Sequence, residues 1–200
     1  TITKVIVYIF GVDYLFATPS SGWLLYAAAF TIITASVVAL QQTNIKRLLA
    51  YSTIAQLSYV VMAAAILKPL AEIGAAVHMV AHAFGKITLF FAAGAIYVAA
   101  KKTEIHQLRG IGRRMPITMA AFAVGTLAMI GLPPTAGLVS KWFLEEGAAA
   151  GGYRAVHLVL IASTMLNGAY FLPIVWRAFF RPSPDGATGV REAPWPCVVA

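Results

Sequence analysis

The chain alternates between long apolar runs and short polar breaks. Six apolar runs can be marked, and they cover residues 1–17, 22–42, 48–67, 72–100, 115–147 and 155–177. None of them shows the every-second-residue alternation of a half-buried strand, and all are too long for a strand. Their lengths reach or exceed the roughly 17–25 residues that a helix needs to cross a bilayer. The pattern therefore predicts an all-α bundle of membrane-spanning helices.

Composition supports a membrane protein and excludes several other classes. Of the 200 residues, 60% are hydrophobic and 11% are charged, whereas an ordinary globular chain carries about 25% charged residues. This balance excludes a soluble enzyme and a disordered chain, and the single cysteine, Cys197, excludes a disulfide scaffold. We expect an internal piece of a longer protein, with a transmembrane domain at 1–181, a loop at 182–194 and the start of a further helix at 195–200.

Basic residues collect in every second loop. Ten Lys and Arg fall in loops on one side of the predicted bundle, and Lys68 and Arg154 fall on the other. The positive-inside rule places the basic side in the cytoplasm, so we expect an integral protein of a bacterial or archaeal cytoplasmic membrane. The net charge of +8 is then explained by basic residues that orient the protein in the membrane. A nucleic-acid partner would need these residues on one exposed surface. We therefore expect no nucleic acid as a partner.

Three lysines remain inside the apolar runs: Lys4, Lys86 and Lys141. A lysine at the centre of a membrane helix costs about 2.5–3.5 kcal/mol, so three cost on the order of 8–10 kcal/mol. A protein keeps such residues when they face a hydrated interior and carry a function there. Lys4 lies about a dozen residues before its run ends, which is ~18 Å along a helix and near mid-membrane.

Lys86 sits midway along the fourth run, too far from either end to reach the headgroups. His82 and His78 precede it at intervals of four, so the three side chains form one stripe on a helix. The groups are ~6 Å apart along the axis, and one water between each pair lets them exchange a proton. Histidine passes protons through its two ring nitrogens, and burial disfavours the charged form of lysine. The spacing indicates a proton wire.

Other interpretations of the stripe stay open. The histidines can pack against neighbouring polar groups without any role in transport. His78 and His82 can also supply two metal ligands, although Met79 stands where a zincin helix carries Glu and no third ligand is nearby. We therefore expect no metal, and no haem, because axial haem ligands come from different helices.

The fifth run contains a break. Pro133 and Pro134 remove backbone donors and clash with the preceding turn, so a continuous helix cannot pass. We predict a discontinuous helix, whose break contains Gly131, Pro133, Pro134 and Gly137. Lys141, with Ser140 beside it, then begins a second half-helix deep in the membrane, where transporters place ion sites. In the alternative, Lys141 snorkels to the membrane surface, since Glu145 is only one turn away.

The third run carries a lane of polar residues, which includes Tyr51, Ser52, Gln56 and Tyr59. Ser52, Gln56 and Tyr59 share one helix face at spacings of four and three residues. Such groups either line a hydrated cavity or join helices through hydrogen bonds. The sequence does not decide between these two roles.

Three stretches resemble one protein family. Residues 44–56 (NIKRLLAYSTIAQ) resemble its DIKRLLAYSTISQ motif, residues 78–86 (HMVAHAFGK) its HxxxHAFFK helix, and residues 131–142 (GLPPTAGLVSKW) its GLPPTAGFVSKW break. The family comprises the antiporter-like subunits shared by respiratory complex I, membrane-bound hydrogenases and Mrp-type multisubunit Na⁺/H⁺ antiporters. The resemblance covers residues 1 to about 180. The VSKW ending and the tail at Arg181 look most like the D-type subunits of Mrp antiporters, and Gly85 departs from the usual Phe.

The resemblance implies a position in the family's fold and roles for the lysines. The chain matches the eighth to thirteenth of about fourteen helices, which is the second of two inverted repeats. Lys4 matches the central lysine of the eighth helix, and Lys141 matches the terminal lysine of the broken twelfth helix. His78, His82 and Lys86 match the relay of the eleventh helix. The resemblance also implies other membrane subunits as partners and no cofactor held by this chain.

We therefore expect a proton-translocating subunit of a multisubunit membrane complex, without catalytic residues of its own. An Mrp assembly would exchange Na⁺ for protons. The alternative within this class is a proton-pumping subunit of complex I (NADH-quinone oxidoreductase) or of a hydrogenase. The rivals from other classes are a structural membrane subunit, whose lysines only fill hydrated voids, and a redox enzyme with bound haem or quinone.

Overall fold

A computed structural model describes residues 22–182 together with Ile9 and Glu192. It contains six α-helices: α1 Gly22–Leu40, α2 Ile45–Ile66, α3 Pro69–Ala100, α4 Pro116–Ile130, α5 Ala136–Gly151 and α6 Arg154–Phe180. Two short 3₁₀ turns, Ile105–Leu108 and Ile111–Arg113, lie between α3 and α4. The predicted all-α class is confirmed for the described residues. The predicted helix at 1–17 with Lys4 lies outside them apart from Ile9, and the segments 182–194 and 195–200 lie outside them apart from Pro182 and Glu192.

Two of the helices begin where the local sequence supplies a start signal. Asn44 precedes α2, and its Oδ1 accepts hydrogen bonds from the backbone N–H groups of Lys46 and Arg47 at 3.0 and 3.4 Å. Pro69 occupies the first position of α3, where its fixed φ suits a helix and its missing N–H costs nothing. Both helices therefore begin slightly before the apolar runs that predicted them.

Four of the six helices are long enough to span a membrane on their own, and two are shorter. The helices α1, α2, α3 and α6 are each long and apolar enough to cross a membrane. The apolar helix α4 has 15 residues and α5 has 16, so each reaches only about 22–24 Å along its axis. The two short helices lie on either side of the break, as the prediction of a discontinuous helix requires.

The basic loops meet at one end of the bundle. The N–H of Ile45 donates to the carbonyl of Thr103, and the N–H of Ile105 donates to the carbonyl of Thr43. The N–H of Gly110 donates to the carbonyl of Arg177, near the end of α6. These bonds join the α1–α2 loop, which is followed at once by Lys46 and Arg47 of α2, to the basic α3–α4 loop and the end of α6.

The two large clusters of the apolar core lie towards opposite ends of the bundle, and a third, small cluster contains Ala64 and Leu67. The cluster at the basic end includes Leu49, Leu89 and Phe171, and the cluster at the opposite end includes Tyr59 and Leu160. On α2, α3 and α6 the two clusters occupy separate stretches of the helix. The residues between these stretches lie at mid-depth in the bundle.

Candidate functional site

Buried polar residues form a layer between the two apolar clusters. On α2 the layer lies between Leu49 and Tyr59, and on α6 it lies between Leu160 and Tyr170. The helices α1, α2, α3, α5 and α6 all contribute to it. Its buried members are Ser36, Ser52, Gln56, His78, His82, Lys86, Ser140, Lys141, Ser163 and Asn167.

Lys86 is one of two buried amines in this polar layer, and 6% of its surface is exposed. Its Nζ donates to the carbonyl of Leu49 at 2.9 Å and to Oγ of Ser52 at 2.6 Å. The same Nζ lies 5.9 Å from the centre of the Phe171 ring. The ammonium group is therefore held inside the bundle by two neutral oxygens and an aromatic face.

The two histidines extend from Lys86 towards α5. The rings of His82 and His78 are stacked, with centroids 6.0 Å apart and 15° between their planes. His78 Nδ1 is hydrogen-bonded to Oγ of Ser140 at 3.0 Å. The stripe on α3 therefore ends at the residue that precedes Lys141.

Lys141 is the second buried amine, and 8% of its surface is exposed. Its Nζ donates to the carbonyl of Ile130 at 2.7 Å and to Oγ1 of Thr164 at 3.0 Å, and it lies 5.8 Å from the centre of the Tyr59 ring. Glu145 is instead hydrogen-bonded to His157, nearer the end of the bundle. The ammonium group of Lys141 points into the bundle and does not snorkel.

The helix break brings Lys141 to the end of α4. Gly131 ends α4 with a φ of +85°, a conformation that glycine adopts without a steric penalty. A Cβ on Gly137 would lie 1.9 Å from the carbonyl oxygen of Ala128, so only glycine lets α5 start this close to α4. Pro133 and Pro134 occupy the turn between the two helices. The close approach allows Lys141 to reach the last carbonyl of α4.

Several buried atoms in the layer or at its border have no hydrogen-bond partner among the described residues. They are Nε2 and Oε1 of Gln56, Oη of Tyr59, Nε2 of His78, Nδ1 of His82 and Nδ2 of Asn167. Buried polar groups in proteins are nearly always hydrogen-bonded, either to protein or to ordered water. A buried water typically joins about three such groups. We therefore expect ordered waters beside the two histidines, Gln56 and Tyr59.

The fold places the four residues of the polar lane predicted on α2 in two different environments. Ser52, Gln56 and Tyr59 are buried. Ser52 accepts a bond from Lys86 on α3, and Tyr59 lies beside His78 on α3 and Lys141 on α5. Tyr51 is only partly buried and packs against the apolar cluster at the basic end. Ser52 and Gln56 therefore join the polar layer, and Tyr59 borders it.

Residues of α6 complete the layer, although they were not predicted from the sequence. Thr164 accepts a bond from Lys141, Tyr170 donates its hydroxyl to Oδ1 of Asn167, and the hydroxyls of Ser163 and Ser36 are 3.4 Å apart. Asn167 could have been selected from the sequence alone. A polar side chain inside an apolar run is costly in a membrane, and this is the reason for which Lys86 was selected. Among the described residues, no three or more His, Cys, Asp or Glu come close enough to hold a metal ion.

Comparison with known proteins identifies the family. Residues 1–166 match the sequence model of the family described as NADH:quinone oxidoreductase/Mrp antiporter, TM. The chain belongs to this family. It is an integral membrane protein, as its apolar helices and the family assignment both indicate, and the predicted resemblance to antiporter-like subunits is confirmed.

Curated relatives of this family member are subunits of redox complexes. It is 38% identical over 174 residues to NADH-quinone oxidoreductase subunit N of Desulforudis audaxviator, covering 86% of this chain and 34% of that protein. It is 34% identical over 182 residues to F(420)H(2) dehydrogenase subunit N of Methanosarcina mazei, covering 86% of this chain and 37% of the relative. The chain thus spans about a third of the length of these relatives.

Several solved structures share the fold of this chain. A chain of the membrane-bound sulfane sulfur reductase, an archaeal respiratory membrane complex, matches with a TM-score of 0.83 and 27% identity, covering 90% of this chain and 30% of that one. Respiratory complex I from Thermus thermophilus matches with a TM-score of 0.86 and 22% identity, covering 99% and 42%. The Mrp complex from Dietzia sp. DQ12-45-1b matches with a TM-score of 0.77 and 23% identity, covering 87% and 35%. The assignment to the D-type group of Mrp subunits stays a prediction.

Proposed function

We propose that this chain is part of a proton-translocating subunit of a multisubunit membrane complex. One observation carries the proposal: His82, His78 and Ser140 lie between two buried amines, Lys86 and Lys141, in the polar layer. Buried polar atoms without protein partners accompany these groups. The arrangement supplies both sites that can hold a proton and places for the waters that move it.

The free-energy cost of burying the two amines favours a transport role over a structural one. Two lysines at mid-membrane cost about 5–7 kcal/mol. Within residues 22–182 and Glu192, neither amine has a carboxylate partner that would offset this cost. Apolar side chains of similar volume would fill the same space without the desolvation penalty. A structural subunit gains nothing from Lys86 and Lys141, whereas a proton pathway needs groups that alternate between charged and neutral forms.

In the proposed pathway, protons pass from Lys86 through His82 and His78 to Lys141. One helical turn separates Lys86 from His82, and the two histidine rings are 6.0 Å apart, so each step requires an intervening water. Ser140 and Tyr59 lie between His78 and Lys141. Because like charges repel strongly in a low-dielectric interior, a proton on one group disfavours a proton on its neighbour and drives it onward. By resemblance, Lys4 is the further proton-carrying lysine of this pathway.

The relatives favour a redox-driven complex as the source of energy. Those at 34–38% identity are subunits of NADH-quinone oxidoreductase and F(420)H(2) dehydrogenase. Redox subunits are therefore the proposed partners, and Na⁺/H⁺ exchange in an Mrp assembly is the alternative. The basic end would face the cytoplasm of a bacterial or archaeal cell, in accordance with the positive-inside rule.

The test uses the complete complex reconstituted in lipid vesicles, with electron transfer and proton uptake measured together. We expect Lys86→Met and Lys141→Met to preserve assembly and electron transfer while lowering the number of protons moved per electron. Lys101→Met, at an exposed position in the basic loop, is the matched control and should pump normally. Normal pumping by both buried-lysine variants would favour the structural interpretation. Repeating the assay without Na⁺ distinguishes proton pumping from Na⁺/H⁺ exchange.

A further inference from the structure

A groove of about 700 Å³ runs along the outer face of α6 towards the basic end of the bundle. Its described lining extends from Met165 to Arg181, and all of these residues belong to α6 or to its C-cap. The small residues Gly168 and Ala169 lie between the larger side chains of Met165 and Leu172, which leaves space along the helix. None of the buried residues of the polar layer lines this groove.

The groove has the length of one membrane leaflet. Trp176 and Phe180 are exposed on its face and stacked, with ring centroids 4.2 Å apart, and Trp is enriched where a membrane meets water. Deeper in the membrane, the exposed side chains of Leu172 and Met165 are apolar. The twelve residues from Met165 to Arg177 cover about 18 Å, and half of the hydrocarbon core measures about 15 Å. The groove therefore extends from the middle of the membrane to the headgroups.

Two arginines line the end of the groove at the membrane surface. Arg177 and Arg181 are one helical turn, or about 6 Å, apart, so both guanidinium groups can bind one phosphate. Among residues 22–182 and Glu192, no carboxylate is paired with either of them. Guanidinium groups bind phosphate through parallel hydrogen bonds, and basic pockets at the cytoplasmic ends of membrane helices bind anionic headgroups. The charges therefore fit an anionic group that is attached to an apolar chain.

We propose that this groove binds one anionic phospholipid. Its phosphate lies between Arg177 and Arg181, and one acyl chain lies along Gly168 and Ala169. A zwitterionic phospholipid fits the apolar part equally well, but its ammonium group would lie beside two cations, which repel it. Binding uses none of the residues of the proposed proton pathway, so the site does not depend on the proposed function.

The first test compares two lipid probes in the unmodified complex, reconstituted in phosphatidylcholine vesicles. One probe is a trace of phosphatidylglycerol with a photoreactive diazirine on its acyl chain, and the matched probe is phosphatidylcholine with the same chain. After illumination, peptide mass spectrometry locates the labelled residues. Phosphatidylglycerol should label α6 between Met165 and Trp176 about 30-fold more than phosphatidylcholine, because each arginine near the membrane surface contributes about fivefold in affinity.

The second test changes the arginines. The double variant Arg177→Gln and Arg181→Gln should lower labelling by phosphatidylglycerol to the level of phosphatidylcholine. Lysine at both positions keeps the charge and should keep most of the preference. Arg47→Gln is the matched control, because Arg47 is exposed at the basic end and does not line the groove. It should be labelled like the unmodified complex.

The third test fills the groove. A Cβ on Gly168 makes only an ordinary contact of 3.7 Å with Leu172, so the fold should tolerate Gly168→Leu. This variant should lower labelling of α6 by both probes. Gly94→Leu is the matched control, since a Cβ on Gly94 meets nothing within 4 Å, and it should change neither.

Three results would overturn the site. Equal labelling by both probes in the unmodified complex would show that α6 contacts bulk lipid without selecting a headgroup. If neither probe labelled α6, a helix of another segment or subunit would cover the groove instead. Undiminished labelling by phosphatidylglycerol in the double glutamine variant, with electron transfer intact, would place its preference elsewhere. The first comparison decides even if a variant does not assemble.

Discussion

Replacing Gly137 with alanine should force apart the two halves of the broken helix. A Cβ at this position lies 1.9 Å from the carbonyl oxygen of Ala128, and real Cβ contacts essentially never fall below 3.0 Å. Both sides of this contact are backbone, so no flexible side chain can relieve it. The helices α4 and α5 must therefore move apart by the difference, about 1.1 Å.

That displacement reaches Lys141. Its Nζ lies 2.7 Å from the carbonyl of Ile130, and a shift of about 1.1 Å takes this distance to about 3.8 Å, beyond a hydrogen bond. Overpacking typically costs about 1–3 kcal/mol, and losing a hydrogen bond to a charged group costs about 1.5–3 kcal/mol. We expect the free energy of unfolding to fall by about 2.5–6 kcal/mol and the pumping ratio to fall with it.

Thermal unfolding of the purified complex and proton uptake in vesicles measure the two effects. Gly94→Ala is the matched control, because a Cβ on Gly94 meets nothing within 4 Å. Alanine there should be neutral or stabilise α3 by up to about 1 kcal/mol. If Gly137→Ala unfolded and pumped like Gly94→Ala, the close approach of α4 and α5 would not be a feature of the folded protein.

Substitutions at three further residues test individual contacts. Ser140→Ala removes the hydroxyl bound to His78 and should lower the pumping ratio severalfold in the vesicle assay, with assembly unchanged. Thr164→Val removes one acceptor of the Lys141 amine and should lower pumping by about tenfold. Thr164→Ser should pump normally, and equal defects in both variants would rule out the hydroxyl as the cause. Glu145→Gln weakens the partly exposed ion pair between Glu145 and His157. Thermal unfolding should therefore show that the free energy of unfolding falls by less than about 1 kcal/mol.

The sequence predicted the features that depend on residues close together in the chain. The break follows from Pro133 and Pro134, whose effect on a helix is covalent and independent of the rest of the fold. The stripe of His78, His82 and Lys86 follows from the helical repeat alone. Both predictions needed only local geometry.

The contacts between helices could not be predicted in the same way. Thr164 is 23 residues from Lys141, and Ser52 is 34 residues from Lys86. Nothing in the spacing of such pairs shows that they meet, because the packing of α2, α3, α5 and α6 decides it. The same packing turned Lys141 away from Glu145, a choice that the sequence left open.

The break at the end of α4 has an electrostatic consequence. The last carbonyls of a helix lack donors, and together they carry about half a negative elementary charge. Ile130 is the final residue of α4, and its carbonyl accepts the bond from Lys141. The end of α4 thus places a fixed, partial negative charge next to the ammonium group of Lys141. Unlike a carboxylate, this charge cannot take up the proton. At half an elementary charge, it stabilises the charged amine less than a full counter-ion does, so the amine can still release its proton.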